Sequence, residues 1–183
     1  MSLRVARKPW IALGAIDYIE QHARRASMAF EWGCGGSTVW FSQVFAHVVS
    51  VESDAAWRDL VAKVVEDESL RAAIHFSPVV DHTPDPVANE AYAAVIEQYP
   101  DTQFGLILID GPVNSRLACA HHALGHMLPG GLMVLDNAGS TPHLAAAALL
   151  DTTLGTRQSF IGPVYSEEPD TQCIVETAIW QMA

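Results

Sequence analysis

Short apolar runs alternate along the chain with amphipathic stretches. Residues 9–25 predict a helix, with Pro9 at its start and Ile11, Ile16 and Ile19 among its apolar positions. Met28–Trp32 predicts a strand that ends at Gly33, and a tight loop of Gly35, Gly36 and Ser37 opens a helix from Thr38 to Phe45. His47–Val51 is a β-branched strand closing at Glu52. Asp54 is placed to cap the next helix, whose Trp57, Leu60, Val61, Val64 and Val65 fall on one buried face. Ala73–Val80 predicts a third strand. Residues 81–103 break the rhythm: Pro84, Pro86 and Pro100 stand among Asp81, Asp85, Glu90 and Asp101, a surface excursion with a short helix near Val87–Gln98.

The alternation then resumes. Phe104–Ile109 is a continuous apolar run, suited to a strand buried on both faces of a parallel sheet. Leu117–Leu128 predicts a helix with Leu117, Leu124 and Leu128 on one face. Gly130-Gly131 predicts a turn into the strand Leu132–Leu135, which ends at Asp136-Asn137. Thr141 and Pro142 predict the start of a helix over 142–151, and Arg157–Ile161 and Cys173–Trp180 predict two closing strands. Strand–helix alternation implies a doubly wound α/β domain spanning 1–183, with helices on both faces. The last connection is too short for a helical crossover, so the last strand is expected antiparallel.

Composition narrows the chemistry. There are 10 Lys+Arg against 21 Asp+Glu, a net charge of −11. A phosphate-binding surface needs Lys and Arg, so this balance argues against a nucleic-acid partner and against a membrane surface. No apolar stretch approaches the twenty or so residues of a membrane span. The N-terminal basic residues lead into no secretory core, and Cys34, Cys119 and Cys173 form no C-x-x-C; a reducing cytoplasm is expected.

In open α/β sheets ligands bind at the carboxyl ends of strands. The loop Glu31-Trp32-Gly33-Cys34-Gly35-Gly36-Ser37-Thr38 lets the backbone turn sharply and approach a ligand. Glu52 follows Gly33 by about twenty residues, the separation at which an acid can reach a ribose diol. The dinucleotide fingerprint G-x-G-x-x-G would need glycine at Thr38.

Four segments in register resemble class I S-adenosylmethionine-dependent methyltransferases: Phe30–Phe41, Val49–Asp54 with Trp57, Phe104–Gly111 and Leu128–Asn137. The tail, with Phe160-Ile161-Gly162-Pro163, is similar to small bacterial members of that superfamily. The resemblance implies a Rossmann-like, seven-stranded, mostly parallel sheet with the last strand antiparallel. It also implies that Glu31, Gly33 and Gly35 line the methionine end of the cofactor, with Cys34 and Ser37 in the same loop. Glu52 would bind the ribose hydroxyls, Ser53 and Asp81 would lie by the adenine, and Asp110 beneath the sulfonium.

For catalysis, Asp110 and Asp136 end adjacent strands and Arg116 follows the first, placed to bind an acidic substrate group or to orient Asp110. Asp110, Asp136 and Asn137 offer hard oxygen ligands for a divalent ion such as Mg²⁺, as in catechol-type O-methyltransferases, but Val113 stands where those enzymes carry lysine. The simpler reading gives Asp136 and Asn137 strand-end hydrogen bonds. His122 and His126 share a helical face without a third ligand, and His82 or His143 could act as a base. With residues 1–25 as a helical cap, nearly all the chain goes into the sheet and its helices. That favours a small-molecule acceptor, with oxygen or nitrogen as the nucleophile, or a pocket completed by a second copy in a homodimer. An NAD-linked oxidoreductase and a non-catalytic cofactor- or partner-binding domain are the alternatives.

Overall fold

A computed structural model describes residues 4–79, 85–165 and 173–183. Seven strands form one sheet: β1 Met28–Trp32, β2 His47–Glu52, β3 Ala72–Phe76, β4 Phe104–Ile109, β5 Met127–Leu135, β6 Gln158–Pro163 and β7 Ile174–Gln181. Their order is β3-β2-β1-β4-β5-β7-β6. The pairs from β3 to β5 are parallel, and β7 runs antiparallel to both β5 and β6. The helices are α1 Leu13–His22, α2 Gly36–Val44, α3 Ala55–Asp67, α4 Pro86–Ala93, α5 Arg116–Ala123 and α6 Leu144–Leu154. None among the described residues is long and apolar enough to cross a membrane.

The strands sort their side chains by alternation. Phe30 and Trp32 of β1, Ile107 and Ile109 of β4, and Met133 and Leu135 of β5 pack with α4, α5 and α6 residues such as Tyr92, Cys119 and Leu150. Ala29, Leu106, Leu108, Leu132 and Val134 face the opposite way, against Ile16 and Ile19 of α1 and Trp40 and Phe41 of α2. Val61 of α3 closes a third cluster with Val39, and Trp57, Leu60, Val64 and Val65 pack around it.

Several predicted boundaries move. Helix α1 begins at Leu13 rather than at residue 9, because Ala12 is still extended: it bridges Val164, and its N–H donates to Thr177 Oγ1. Strand β3 stops at Phe76, short of Val80. Helix α5 ends at Ala123 and tightens into a 3₁₀ turn, since Met127 already pairs with Phe104. Its buried residues are Arg116, Cys119, Ala120 and Ala123, while Leu117 is 41% exposed, so the leucine face is not the packed one. Gly130-Gly131 is not a turn but lies inside β5, where the register with β4 shifts. A 3₁₀ turn, Thr141–His143, precedes α6.

One polar group interrupts the α2-side layer. Glu31 is fully buried; its Oε1 accepts from Thr38 Oγ1 and from Ser50 Oγ, while among the described residues Oε2 has no hydrogen-bond partner. Burial pushes its carboxyl up to about 7, with Ser37, Ser50 and Thr38 restraining the rise. Raised in the folded state, the group holds its proton there after the unfolded chain has lost it. Stability therefore falls as pH rises from about 4.5 to about 7. We expect Glu31→Gln to gain up to about 3 kcal/mol on wild type between pH 4.5 and pH 8 in urea unfolding. A wild-type-to-variant difference that does not change with pH would refute the neutralised carboxyl.

Candidate functional site

The carboxyl ends of β1, β2, β4 and β5 bring the glycine loop, Glu52, Asp110 and Asp136 to one edge of the sheet. The loop is held from below: Gly35 N–H donates to Thr38 Oγ1, which in turn donates to Glu31. The threonine where a dinucleotide site would have glycine is thus a member of this relay. Two glycines are sterically required. Gly33 has φ +95°, and a Cβ there would lie 2.7 Å from the Asp110 carbonyl oxygen. A Cβ on Gly36 would lie 2.2 Å from the Lys8 carbonyl oxygen, so the N-terminal segment packs directly on the loop.

Glu52 is buried and draws the loop to β2. Its Oε2 accepts from Cys34 N–H (3.0 Å), and its Oε1 accepts from the N–H groups of Ser53 (2.7 Å) and Asp54 (2.8 Å). Trp57 of α3 donates its indole N–H to the Cys34 carbonyl (2.7 Å), and Asp54 caps α3 by accepting from Trp57 N–H. Burial and the nearby Glu52 push the Cys34 thiol far up, so it stays protonated in the loop. Ser37 is buried at the start of α2, and Ser53 sits beside Glu52. Asp81 and His82 lie outside the described residues.

Arg116 is buried at the start of α5 and uses all three nitrogens: Nε to the Gly111 carbonyl (2.9 Å), Nη1 to the Asp136 carbonyl (2.6 Å) and Nη2 to Asp110 Oδ1 (3.0 Å). It ties the ends of β4 and β5 and orients Asp110, with three of its five N–H groups bonded inside the protein. Burial and repulsion from Asp136 raise the Asp110 carboxyl, with Arg116 opposing. Burial also raises Asp136, against hydrogen bonds from Thr177 and Asn137.

The metal site expected at Asp110, Asp136 and Asn137 is not built. Asp136 Oδ1 accepts from Thr177 Oγ1 (2.6 Å), and Oδ2 accepts from the Asn137 side-chain amide, whose nitrogen cannot ligate a hard cation. Asn137 takes a left-handed φ of +54°, and its carbonyl lies 3.0 Å from His143 Nδ1. His143 is buried, and the low-polarity surroundings and Arg116 lower its pKa.

Two members of this arrangement carried no signal in the sequence. Tyr92, in α4 of the excursion, donates its hydroxyl to the Val51 carbonyl (3.2 Å), and its own carbonyl accepts from Trp32 Nε1 (3.1 Å). Thr177, in mid-β7, anchors Asp136 from a strand that reads only as apolar alternation.

No protein-family model matches the chain, and no curated protein matches it. Solved structures do. A methyltransferase-like protein from Silicibacter pomeroyi superposes with TM-score 0.64 at 15% identity, covering 98% of this chain and 91% of its own. An rRNA methylase from Streptococcus thermophilus gives 0.60 at 9% identity, covering 93% and 95%. A 16S rRNA N2 methyltransferase of T. thermophilus, in complex with AdoMet and guanosine, gives 0.63 at 20% identity, covering 93% of this chain and 42% of that one. The occurrence of rRNA methylases among these neighbours overturns the exclusion of nucleic acid drawn from net charge. A whole-chain sum says nothing of the local surface or pocket through which one nucleotide is held. By its strand order, its antiparallel β7 and these superpositions, the chain has the Rossmann-like fold of the class I S-adenosylmethionine-dependent methyltransferases.

Proposed function

We propose that the chain transfers a methyl group from S-adenosylmethionine to an oxygen or nitrogen acceptor. The observation that carries this reading is the convergence of a sterically obligate glycine loop with Glu52 and Asp110 at the strand ends of a methyltransferase fold. The residues fit a cationic cofactor. Gly33 and Gly35, with Cys34 and Ser37 in the same loop, border its methionine end, and Glu31 supports the loop from beneath. Each Glu52 oxygen has two acceptor positions, so Oε2 beyond Cys34 N–H retains one for a ribose hydroxyl. Ser53 stands next to it on the adenine side.

The sulfonium supplies an activated methyl group, and the chain's own part is to bind, orient and handle the proton. Arg116 occupies one oxygen of Asp110 and sets its orientation. The other oxygen is left to take the proton that an O–H or N–H acceptor loses, and a raised pKa makes Asp110 a stronger base than an ordinary carboxylate. The neighbouring Asp136, held by Thr177 and Asn137, contributes the negative field that raises it.

Calorimetry with S-adenosylhomocysteine tests the reading, with NAD as the control. Binding of NAD in place of S-adenosylhomocysteine would overturn it. We expect Glu52→Gln, checked for a native melting curve, to weaken S-adenosylhomocysteine by about 1–3 kcal/mol, the scale of a lost charge-assisted bond. Unchanged affinity would remove Glu52 from the ribose. Affinity is further expected to be equal in EDTA and in magnesium, because Asp136 is held by Thr177 and Asn137 turns its side-chain N–H, not its oxygen, toward that carboxylate. A magnesium-dependent gain would restore the metal. Transfer of labelled methyl from S-adenosylmethionine to ribosomal RNA and to a small-molecule extract, run in parallel, identifies the acceptor class.

A further inference from the structure

A second cluster of titratable side chains lies near the amino ends of β4 and β5, away from the strand-end site. His121 and His122 of α5, His126 of the following turn, Glu97 and Pro100 line an open cleft of about 460 Å³. The helical pair His122 and His126 lacks a third partner in the sequence, and the excursion supplies two. His122 Nε2 lies 2.8 Å from Glu90 Oε1 of α4, and Nδ1 lies 2.9 Å from Glu97 Oε1 in the 3₁₀ turn after α4. His126 Nε2 lies 3.4 Å from the other Glu97 oxygen, and its Nδ1 lies 3.4 Å from the Thr102 carbonyl.

A neutral imidazole has one N–H donor and one lone pair. With a carboxylate oxygen against each ring nitrogen, a neutral His122 would press its lone pair onto an acceptor. Only the imidazolium, a donor at both ends, satisfies this geometry. The excursion so held is the one that braces the site: Tyr92 ties the ends of β1 and β2, and a Cβ on Gly111 would meet its hydroxyl at 2.5 Å. Asn89, also on α4, accepts from Ser115 Oγ just before α5.

We propose that His122 is a pH-sensitive latch: as imidazolium it bridges Glu90 and Glu97, holds α4 against α5, and thereby keeps the strand ends in their cofactor-binding arrangement. The coupling to cofactor rests on the reading in the preceding subsection; the latch itself does not. The titratable groups facing His122 are Glu90 from α4, Glu97 from the next turn, and His121 and His126 from its own segment. Burial lowers the His122 pKa, but the two carboxylates outweigh it and the net shift is upward, while Glu97 is lowered in turn. A histidine raised in the folded state stabilises fully below the ordinary 6.5, and this is lost as pH rises through the folded value. The latch is closed in mild acid and released in alkali.

The test uses the full chain. Proton NMR should show the His122 resonance, assigned by its loss in His122→Gln, titrating above 6.5 and returning towards it in Glu90→Gln/Glu97→Gln. Amide exchange in α4 should be slower in wild type than in His122→Gln at pH 6 and equal at pH 9. The S-adenosylhomocysteine affinity of wild type relative to His122→Gln should fall about fivefold between those pH values, the lower end of site-to-site coupling. Titration at or below 6.5, or identical α4 exchange at pH 6, overturns the latch. A constant affinity ratio with the exchange difference present overturns its coupling to the site. If wild type binds no S-adenosylhomocysteine at either pH, the cofactor reading fails, and the α4 exchange alone decides the latch.

Discussion

Four carboxylates, Glu31, Glu52, Asp110 and Asp136, stand at or next to the ends of four strands that the sheet order places side by side. Burying them side by side is the constraint that the surrounding structure answers. It is written in the proton affinities: burial raises both Glu31 and Asp110, and neighbouring charge adds to it, Glu52 on Glu31 and Asp136 and Glu31 on Asp110. Each acid is answered differently. Glu31 is neutralised in place and bonded by hydroxyls, Glu52 takes three backbone N–H groups, Asp110 takes the one buried guanidinium shown beside it, and Asp136 takes a threonine and an amide. Among the described residues Arg116 is the one cation shown bonded to any of these acids, which leaves the edge short of positive charge. A sulfonium ligand makes good that shortage, and a diphosphate would deepen it.

The same answers build the loop. Glu52 fastens Cys34 N–H, and Trp57 fastens the Cys34 carbonyl, so both peptide groups around the cysteine are fixed from β2 and α3. Gly33 and Gly36 admit the Asp110 and Lys8 carbonyls at distances no side chain tolerates. The loop is therefore clamped between β4 and the N-terminal segment. A preformed loop of this kind spends little binding energy on ordering itself when a ligand arrives.

Legibility in the sequence followed the range of the interactions. Strands β1 and β4 are readable to the residue because each is a short, mostly apolar run whose neighbours on both sides are strands. Local caps were readable too, as Asp54 shows. Helix α1 was read too long because its first residues are captured by Thr177 and Val164, more than a hundred positions away. Gly130-Gly131 reads as a turn by every local rule, and only the register between β4 and β5 makes it a bulge. In the site, the residue types at strand ends were legible, and the partners that decide their roles were not. Arg116 could be placed near Asp110 by spacing. That it also holds two carbonyls, and so acts as a tie between strand ends, depends on where β5 ends.

The acidity of the chain carries a different lesson once its acids are located. Net charge governs the far field, which sets solubility and long-range steering. Recognition at a strand end is governed by lone pairs and donors within a few ångströms, where Glu52 and Asp136 are already held by their own backbone and side-chain partners. Each keeps directed acceptor capacity beyond the donors that hold it. A net charge of −11 therefore does not by itself exclude a polyanionic partner held outside these strand ends. Short-range contacts of this kind, and not the sum of charges, are what a strand-end site offers an acceptor.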